Sequence, residues 1–357
     1  MTDDTRLDAD VGDDAVRETV ADLRPEWRVT GVDRVPEGTD SVAVLDVATP
    51  DEGARRRVVL KATAADLVPP RVARAEPRLL DLVDRETSVP VPSVFGYRDA
   101  RPGRPAPYYL LECVEGENLQ GEPYALASEA RERVVRGTGR NLADLHEVGT
   151  LPATGHVGVT DGELTVLDID EHPRYADFHE WLLDGVEENL DALGDGGFFP
   201  DLADEPERFA DLVEPLGAHL RGAIRSLPAP EPSRYCHRDY RLGNLLVDPA
   251  TGETRAVLDW ANLLATDPVY NLADAESLLV DDRDDAGTVR RLREALRSGY
   301  EQRREGWTFT DADLERLVTY RLTCRLANVC CLPLWYPDRE ERDRQVERHR
   351  EAVGNCV

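Results

Sequence analysis

At 357 residues the chain is longer than one typical domain, so two lobes sharing a substantial core are expected. It carries 71 acidic against 43 basic residues, a formal charge of -28, which speaks against nucleic acid or an anionic membrane as partner, since phosphate surfaces demand positive charge. The acids run along the whole chain, which fits a solvated acidic surface suited to high salt better than a docking patch.

One lysine, Lys61, stands alone; every other of the 43 basic residues is arginine. A compact ammonium on a thin stem suits a tight phosphate contact where a planar guanidinium does not fit. The six cysteines, Cys113, Cys236, Cys324, Cys330, Cys331 and Cys356, show no Cys-x-x-Cys spacing and no paired histidines. Free thiols in a reducing cytosol are therefore expected, with neither a zinc site nor a disulfide scaffold. An acidic, polar amino terminus unlike a signal peptide, and no apolar run of about 18 residues, predict a cytoplasmic protein without a membrane span.

In chain order, residues 1–12 read as an acidic tail and Asp13 to Leu23 as a short helix, with Val16, Val20 and Leu23 at helical spacing. Three β-rich segments follow, Trp27 to Val35, Val42 to Ala48 and Arg57 to Ala62, which predict a small antiparallel sheet. The turn from Pro36 to Ser41 is either an ordinary hairpin turn or a loop whose backbone amides cover phosphates, with Gly38 and Ser41 as candidates. Thr87 to Tyr108 is dense in proline and glycine and predicts extended segments and a loop. Tyr108 to Val114 is an apolar strand running into Glu115-Gly116.

Beyond it, Ser128 to Val148 has one apolar face with Val134, Val135, Leu142 and Leu145, a helix; His146 near its end reads equally as a packed histidine. Residues 150–175 are expected to be an irregular polar loop, and Tyr175 to Leu193 and Pro206 to Leu227 return to helical periodicity. Asp267 and Pro268 read as N-cap and first position of a helix, and three more follow, Thr288 to Arg304, Asp311 to Cys331 and Arg339 to Val353.

The densest chemistry lies between residues 235 and 268. Leu245 to Val247 and Ala256 to Leu258 are β-prone and separated by Asp248-Pro-Ala-Thr-Gly252, which is turn chemistry, so a hairpin is predicted. Opposed residues in such a hairpin lie roughly 5 Å apart, which brings Asn244 and Asp259 together at its open end. An amide oxygen and a carboxylate there suit one hard cation such as Mg2+. Asp239, five residues before Asn244, is a third oxygen ligand or a base.

The order His237-x-Asp239-x4-Asn244, then Leu258-Asp-Trp260 and Asp267-Pro268, resembles the aminoglycoside phosphotransferase (APH) family of kinase-like small-molecule phosphotransferases. Only seven residues separate Asp259 from Asp267, which leaves no room for the activation loop of a protein kinase. The resemblance implies an α+β, two-lobed protein-kinase-like fold, with a small antiparallel β-sheet N-lobe over residues 1–113 and a mainly helical C-lobe over residues 114–357. It implies ATP or another nucleoside triphosphate and Mg2+ as cofactors, and a small hydroxylated molecule as acceptor.

By the same resemblance Asp239 is the base or orienting group, His237 positions its loop, and Asn244 and Asp259 hold Mg2+. Lys61 holds the α- and β-phosphates and is fixed by Glu76, for which Asp81 and Asp84 are the substitutes. Glu112, Cys113 and Val114 meet the nucleotide base, and Arg241 meets phosphate or substrate, or is simply an exposed arginine. The family often has an aspartate where Asn271 stands. Two other readings are a nucleotide-binding regulatory protein without turnover and a protein kinase. The sequence leaves open the acceptor, the choice of ATP or GTP, and the oligomeric state.

Overall fold

Hydrophobic periodicity and turn chemistry divide the chain into short elements. In the computed structural model residues 12–35, 40–50, 54–62, 68–100, 107–120, 122–203, 205–261, 263–280 and 284–354 are described. In order these form α1 (Asp13–Leu23), β1 (Arg28–Val35), β2 (Ser41–Ala48), β3 (Arg55–Ala62), α2 (Pro70–Ala73), α3 (Ala75–Glu86), β4 (Val94–Arg98), β5 (Tyr108–Glu112) and α4 (Ser128–Glu147). Then come β6 (Gly155–Thr160), β7 (Glu163–Val166), α5 (Phe178–Gly194), α6 (Ala210–Ser226), β8 (Arg234–Cys236), β9 (Leu245–Asp248), β10 (Glu253–Val257) and β11 (Leu264–Thr266). Five helices close the chain: α7 (Pro268–Leu279), α8 (Ala286–Arg303), α9 (Asp311–Cys330), α10 (Leu332–Trp335) and α11 (Arg339–Gly354). Among the described residues no helix is long and apolar enough to cross a membrane.

The elements fall into two units. The first comprises residues 1–137, 156–173 and 240–264. Its antiparallel sheet has the order β1-β2-β3-β5-β4. Alternation along the strands puts Ala43, Leu45 and Val47 of β2 and Val58, Leu60 and Ala62 of β3 on one face, where they bury against Val16 and Val20 of α1. The opposite face is left to Val59 and Lys61. Burial of this apolar face, at roughly 1.5–3 kcal/mol per large side chain, is the main force holding α1 to the sheet.

The β9/β10 hairpin pairs Asp248 with Glu253 and Leu245 with Val257. Its loop is an Asx turn in which Asp248 Oδ1 accepts from the amides of Ala250 (3.0 Å) and Thr251 (3.1 Å). Gly252 closes it with φ +71°, a conformation that favours glycine, and packs against the backbone of Ala130 on α4. The hairpin is tied down on both sides, by Glu117 pairing with Val247 (2.8 and 3.0 Å) and by Val257 N–H donating to the Pro90 carbonyl (2.8 Å).

A second hairpin corrects the loop expected over residues 150–175: β6 and β7 pair from Val157–Val166 to Thr160–Glu163. Asp161 and Gly162 both have positive φ, 52° and 88°, as a type I′ turn requires. The Asp-Gly pair between Val157, Val159, Leu164 and Val166 carried that signal in the sequence.

The second unit comprises residues 138–155, 174–239 and 265–357 and is mainly helical. Four of its helices begin on capping side chains: Asp177 for α5, Asp267 for α7, Asp285 for α8, and a Thr310/Asp313 capping box for α9. Edge-to-face contacts among Phe178, Tyr270 and Tyr320, with ring centroids 5.5–5.6 Å apart, fasten α5, α7 and α9. Asp267 is fully buried, 3.2 Å from Arg316 and 3.0 Å from the Tyr320 hydroxyl.

Candidate active site

Strand register sets the first group of polar side chains, all in the first unit. Lys61 of β3 lies opposite Val42 of β2 and Tyr109 of β5. Directly opposed residues of antiparallel strands project to the same face, so Lys61 and Tyr109 stand side by side away from the α1 core. The short helix α2 ends at Ala73 with Arg74 as its C-cap, and α3 starts at Ala75, which leaves Pro77 in a first turn, where a missing N–H is harmless. Glu76 enters the same face and is 2% exposed.

There the Lys61 ammonium donates to Glu76 Oε1 at 2.9 Å and Oε2 at 2.8 Å, and the Tyr109 hydroxyl donates to Oε2 at 2.6 Å. Two more carboxylates converge on the ammonium, Asp40 Oδ2 at 2.9 Å and Asp259 Oδ1 at 3.6 Å. Burial works to lower the Lys61 pKa, but Glu76, with Tyr109, Asp259 and Asp40, holds it well above its ordinary value. Burial also raises the Glu76 carboxyl, with Lys61 opposing that shift. Asp81 and Asp84 are exposed on α3, Asp81 paired with Arg85.

Asp259 is aimed by the hairpin. The Asn244 carbonyl accepts from the Leu258 amide at 2.8 Å, so Asp259 leaves the second strand beside the loop that enters the first. Its φ of +59° is left-handed, a conformation aspartate tolerates better than branched residues do, and it turns the carboxylate toward Lys61. Asn244 is 6% exposed, with its amide bonded to the Arg241 carbonyl at 2.9 Å. Carboxylate oxygens of Asp40, Glu76 and Asp259 lie within 4.8 Å of one another, a hard oxygen set of the kind a divalent cation takes.

Of the other candidates in this unit, Ser41 opens β2 opposite Ala62, and Gly38 lies outside the described residues. Glu112 ends β5, where its amide donates to the Ser93 carbonyl at 2.9 Å, and Cys113 and Val114 follow half-buried.

His237 and Asp239 belong to the second unit. His237 is 2% exposed, and its carbonyl oxygen accepts from Asn271 Nδ2 at 2.7 Å. Asn271 Oδ1 lies 3.1 Å from His146 Nε2, and His146 Nδ1 lies 2.8 Å from the Tyr300 hydroxyl. Asn271 is oriented by that donor bond, so His146 carries its proton on Nε2 and accepts from Tyr300 on Nδ1. Burial pushes His146 down to about 3, which keeps it neutral. Half-buried Asp239 has Asp274 of α7 among its neighbours, whose carboxyl burial pushes up to about 7; Arg238 opposes that shift and Asp239 adds to it.

An ammonium caged by carboxylates on a five-stranded antiparallel sheet, with an aspartate-bearing hairpin beside it, is the constellation of a kinase-like α+β fold. The chain belongs to the phosphotransferase enzyme family, whose model matches residues 34–307. It is a phosphotransferase with an alcohol group as acceptor, acting on small molecules.

A protein of Ralstonia eutropha JMP134, provisionally assigned as an aminoglycoside phosphotransferase, superposes with a TM-score of 0.61 at 16% identity, over 97% of this chain and 98% of that one. APH(2″)-IIIa, solved with GDP and kanamycin, gives 0.55 at 14% identity, over 95% and 97%. The ethanolamine kinase of Plasmodium vivax gives 0.55 at 9% identity, over 96% and 87%. No curated protein matches the chain.

Asp40 and Tyr109 join the lysine group although neither stood among the residues singled out by sequence. Tyr109 was legible in principle, since the strand pairing that carries Lys61 puts an apolar-run tyrosine opposite it. For Asp40 the sequence offers only a turn acid among 71 acidic residues.

Proposed function

We propose that the chain transfers the γ-phosphoryl group of ATP or another nucleoside triphosphate to the hydroxyl of a small molecule. The observation that carries this reading is the Lys61 ammonium, held 2.8–2.9 Å from the buried Glu76 on the face that Asp259 also reaches. A lysine so fixed is a point charge for the α- and β-phosphates. Asn244 and Asp259 would hold Mg2+, which supplies charge neutralisation for the phosphate oxygens. The neighbours solved with GDP and kanamycin, or acting on ethanolamine, support a nucleotide donor and a small alcohol acceptor. The five described cysteines are free thiols, in keeping with a reducing compartment such as the cytoplasm.

In this reading Asp239 takes the proton of the acceptor hydroxyl as its oxygen bonds to the γ-phosphorus, and the nucleoside diphosphate leaves with the electrons of the broken P–O bond. Little covalent work falls to the protein; alignment and charge stabilisation lower the barrier. His237 acts through its backbone, which Asn271 anchors, and so holds Asp239 at its post.

Purified protein in high salt, offered ATP or GTP with a panel of small alcohols, should consume nucleotide with one acceptor class. Asp239→Asn should lower kcat by about 100-fold to 10,000-fold while nucleotide still binds. Unchanged turnover in that variant would sink the assignment.

A further inference from the structure

We propose that Asp40 is a built-in stand-in for a phosphate: its carboxylate pairs with the Lys61 ammonium where a phosphate oxygen would sit, and nucleotide binds by exchanging with it. This rests on the phosphotransferase reading of the Lys61 site.

A lysine ammonium has three N–H donors and no more. Glu76 accepts from it at 2.9 and 2.8 Å, and Asp40 Oδ2 forms an ion pair with the same ammonium at 2.9 Å. Asp259, at 3.6 Å, is beyond hydrogen-bond reach. An incoming phosphate oxygen therefore meets an ammonium already in close contact with two carboxylates, and it gains full contact as one of them withdraws. Glu76 is the wrong one to leave, because it is 2% exposed and also bonded to the Tyr109 hydroxyl, so moving it would strand a buried charge.

Asp40 differs on every count. Its side chain is 15% exposed, it precedes β2 instead of sitting within a helix or strand, and Lys61 is its sole ion-pair partner among the described residues. The exchange trades one oxyanion for another at the same ammonium. It also filters ligands: an anion that reaches Lys61 must compete with a tethered carboxylate, which a polyphosphate neutralised by a divalent cation does better than a lone carboxylate or inorganic phosphate.

The test compares wild type, Asp40→Asn and Asp33→Asn by calorimetric titration with MgATP and MgGTP, at low salt and in 1 M salt. Asp33 is an exposed acid of β1 and controls for loss of bulk charge. The exchange predicts that Asp40→Asn binds nucleotide about three- to tenfold more tightly, that Asp33→Asn does not, and that the gain survives 1 M salt because the contact is short and shielded. Affinity that is unchanged or weaker in Asp40→Asn overturns it, the weaker result marking Asp40 as a ligand-side group. Equal gains in both variants, or a gain that vanishes in salt, overturn it in favour of general repulsion. If wild type binds neither nucleotide, the phosphotransferase reading itself falls and the exchange with it. Asp40→Ser repeats the comparison should the asparagine lower the melting temperature.

Discussion

The side-chain amide of Asn271 donates to the backbone carbonyl of His237 at 2.7 Å, so a helix holds the loop that carries Asp239 through a neutral hydrogen bond. Behind Asn271 stand His146 and the Tyr300 hydroxyl, which themselves gain a donor from Arg304 at 3.0 Å. Replacing Asn271 by leucine removes the donor and leaves the carbonyl buried without it, at a cost of about 1–3 kcal/mol. Turnover should fall roughly tenfold or more as Asp239 loses its setting, while nucleotide affinity measured by calorimetry should hold. An equal loss in both would show general damage and not loop positioning.

Glu76→Gln leaves the Lys61 ammonium without its buried counter-charge. We expect KM for nucleotide to rise by an order of magnitude or more, since the lysine would be both mispositioned and poorly compensated. Tyr109→Phe removes only the hydroxyl bond to Oε2 and should cost about 1 kcal/mol in thermal stability with a smaller change in KM. If Tyr109→Phe proves the more harmful of the two, the roles assigned within this pair are reversed.

Asp259 separates two roles, because its carboxylate faces Lys61 while its backbone is left-handed. Asparagine tolerates that conformation and valine does not. Asp259→Asn should keep its melting temperature and lose magnesium-dependent nucleotide binding, whereas Asp259→Val should lose both, with about 1–3 kcal/mol of strain. Matching melting curves for the two variants would argue against the strain.

Asp274 gives a pH dependence whose sign is fixed. Burial raises its carboxyl to about 7, above the ordinary aspartate value, so the folded state retains a proton that the unfolded state has released. Its contribution is fully present below about pH 4 and is lost as pH rises toward 7. Asp274→Asn should therefore match wild type near pH 4, and exceed it in stability at pH 8 by up to roughly 4 kcal/mol. Melting temperatures that run parallel from pH 4 to 8 would refute this.

Gly252→Ala should destabilise the β9/β10 hairpin by more than about 1 kcal/mol, because the added Cβ meets the Ala130 carbonyl oxygen at a φ of +71°. A chemical melt of the variant measures it.

Much of this architecture was legible because period and punctuation agreed. The helix Asp13–Leu23 is found with the bounds its Val16/Val20 spacing implied, and the turn Asp248 to Gly252 folds β9 onto β10 as its residues require. What failed was the 150–175 segment, where surrounding polarity outweighed an Asp-Gly turn flanked by alternating valines and leucines. The arrangement around Lys61 divides the same way. Glu76 was reachable from helix logic once Pro77 is counted in a first turn, whereas no local sequence pattern singles out Asp40 among the chain's many acids. The Asn271 to His237 bond joins positions 34 residues apart, a separation beyond any periodicity.

The solitary lysine has a practical consequence. Lys61 lies within β3, between β2 and β5, so a protease that cuts only after lysine has one target in the entire chain, the Lys61-Ala62 bond, and that bond is stitched into the sheet on both sides. Cleavage can proceed only when the strand comes free of its neighbours. The appearance of two fragments, residues 1–61 and 62–357, thus becomes a clock for the opening of one particular sheet, read without labels from a single band on a gel.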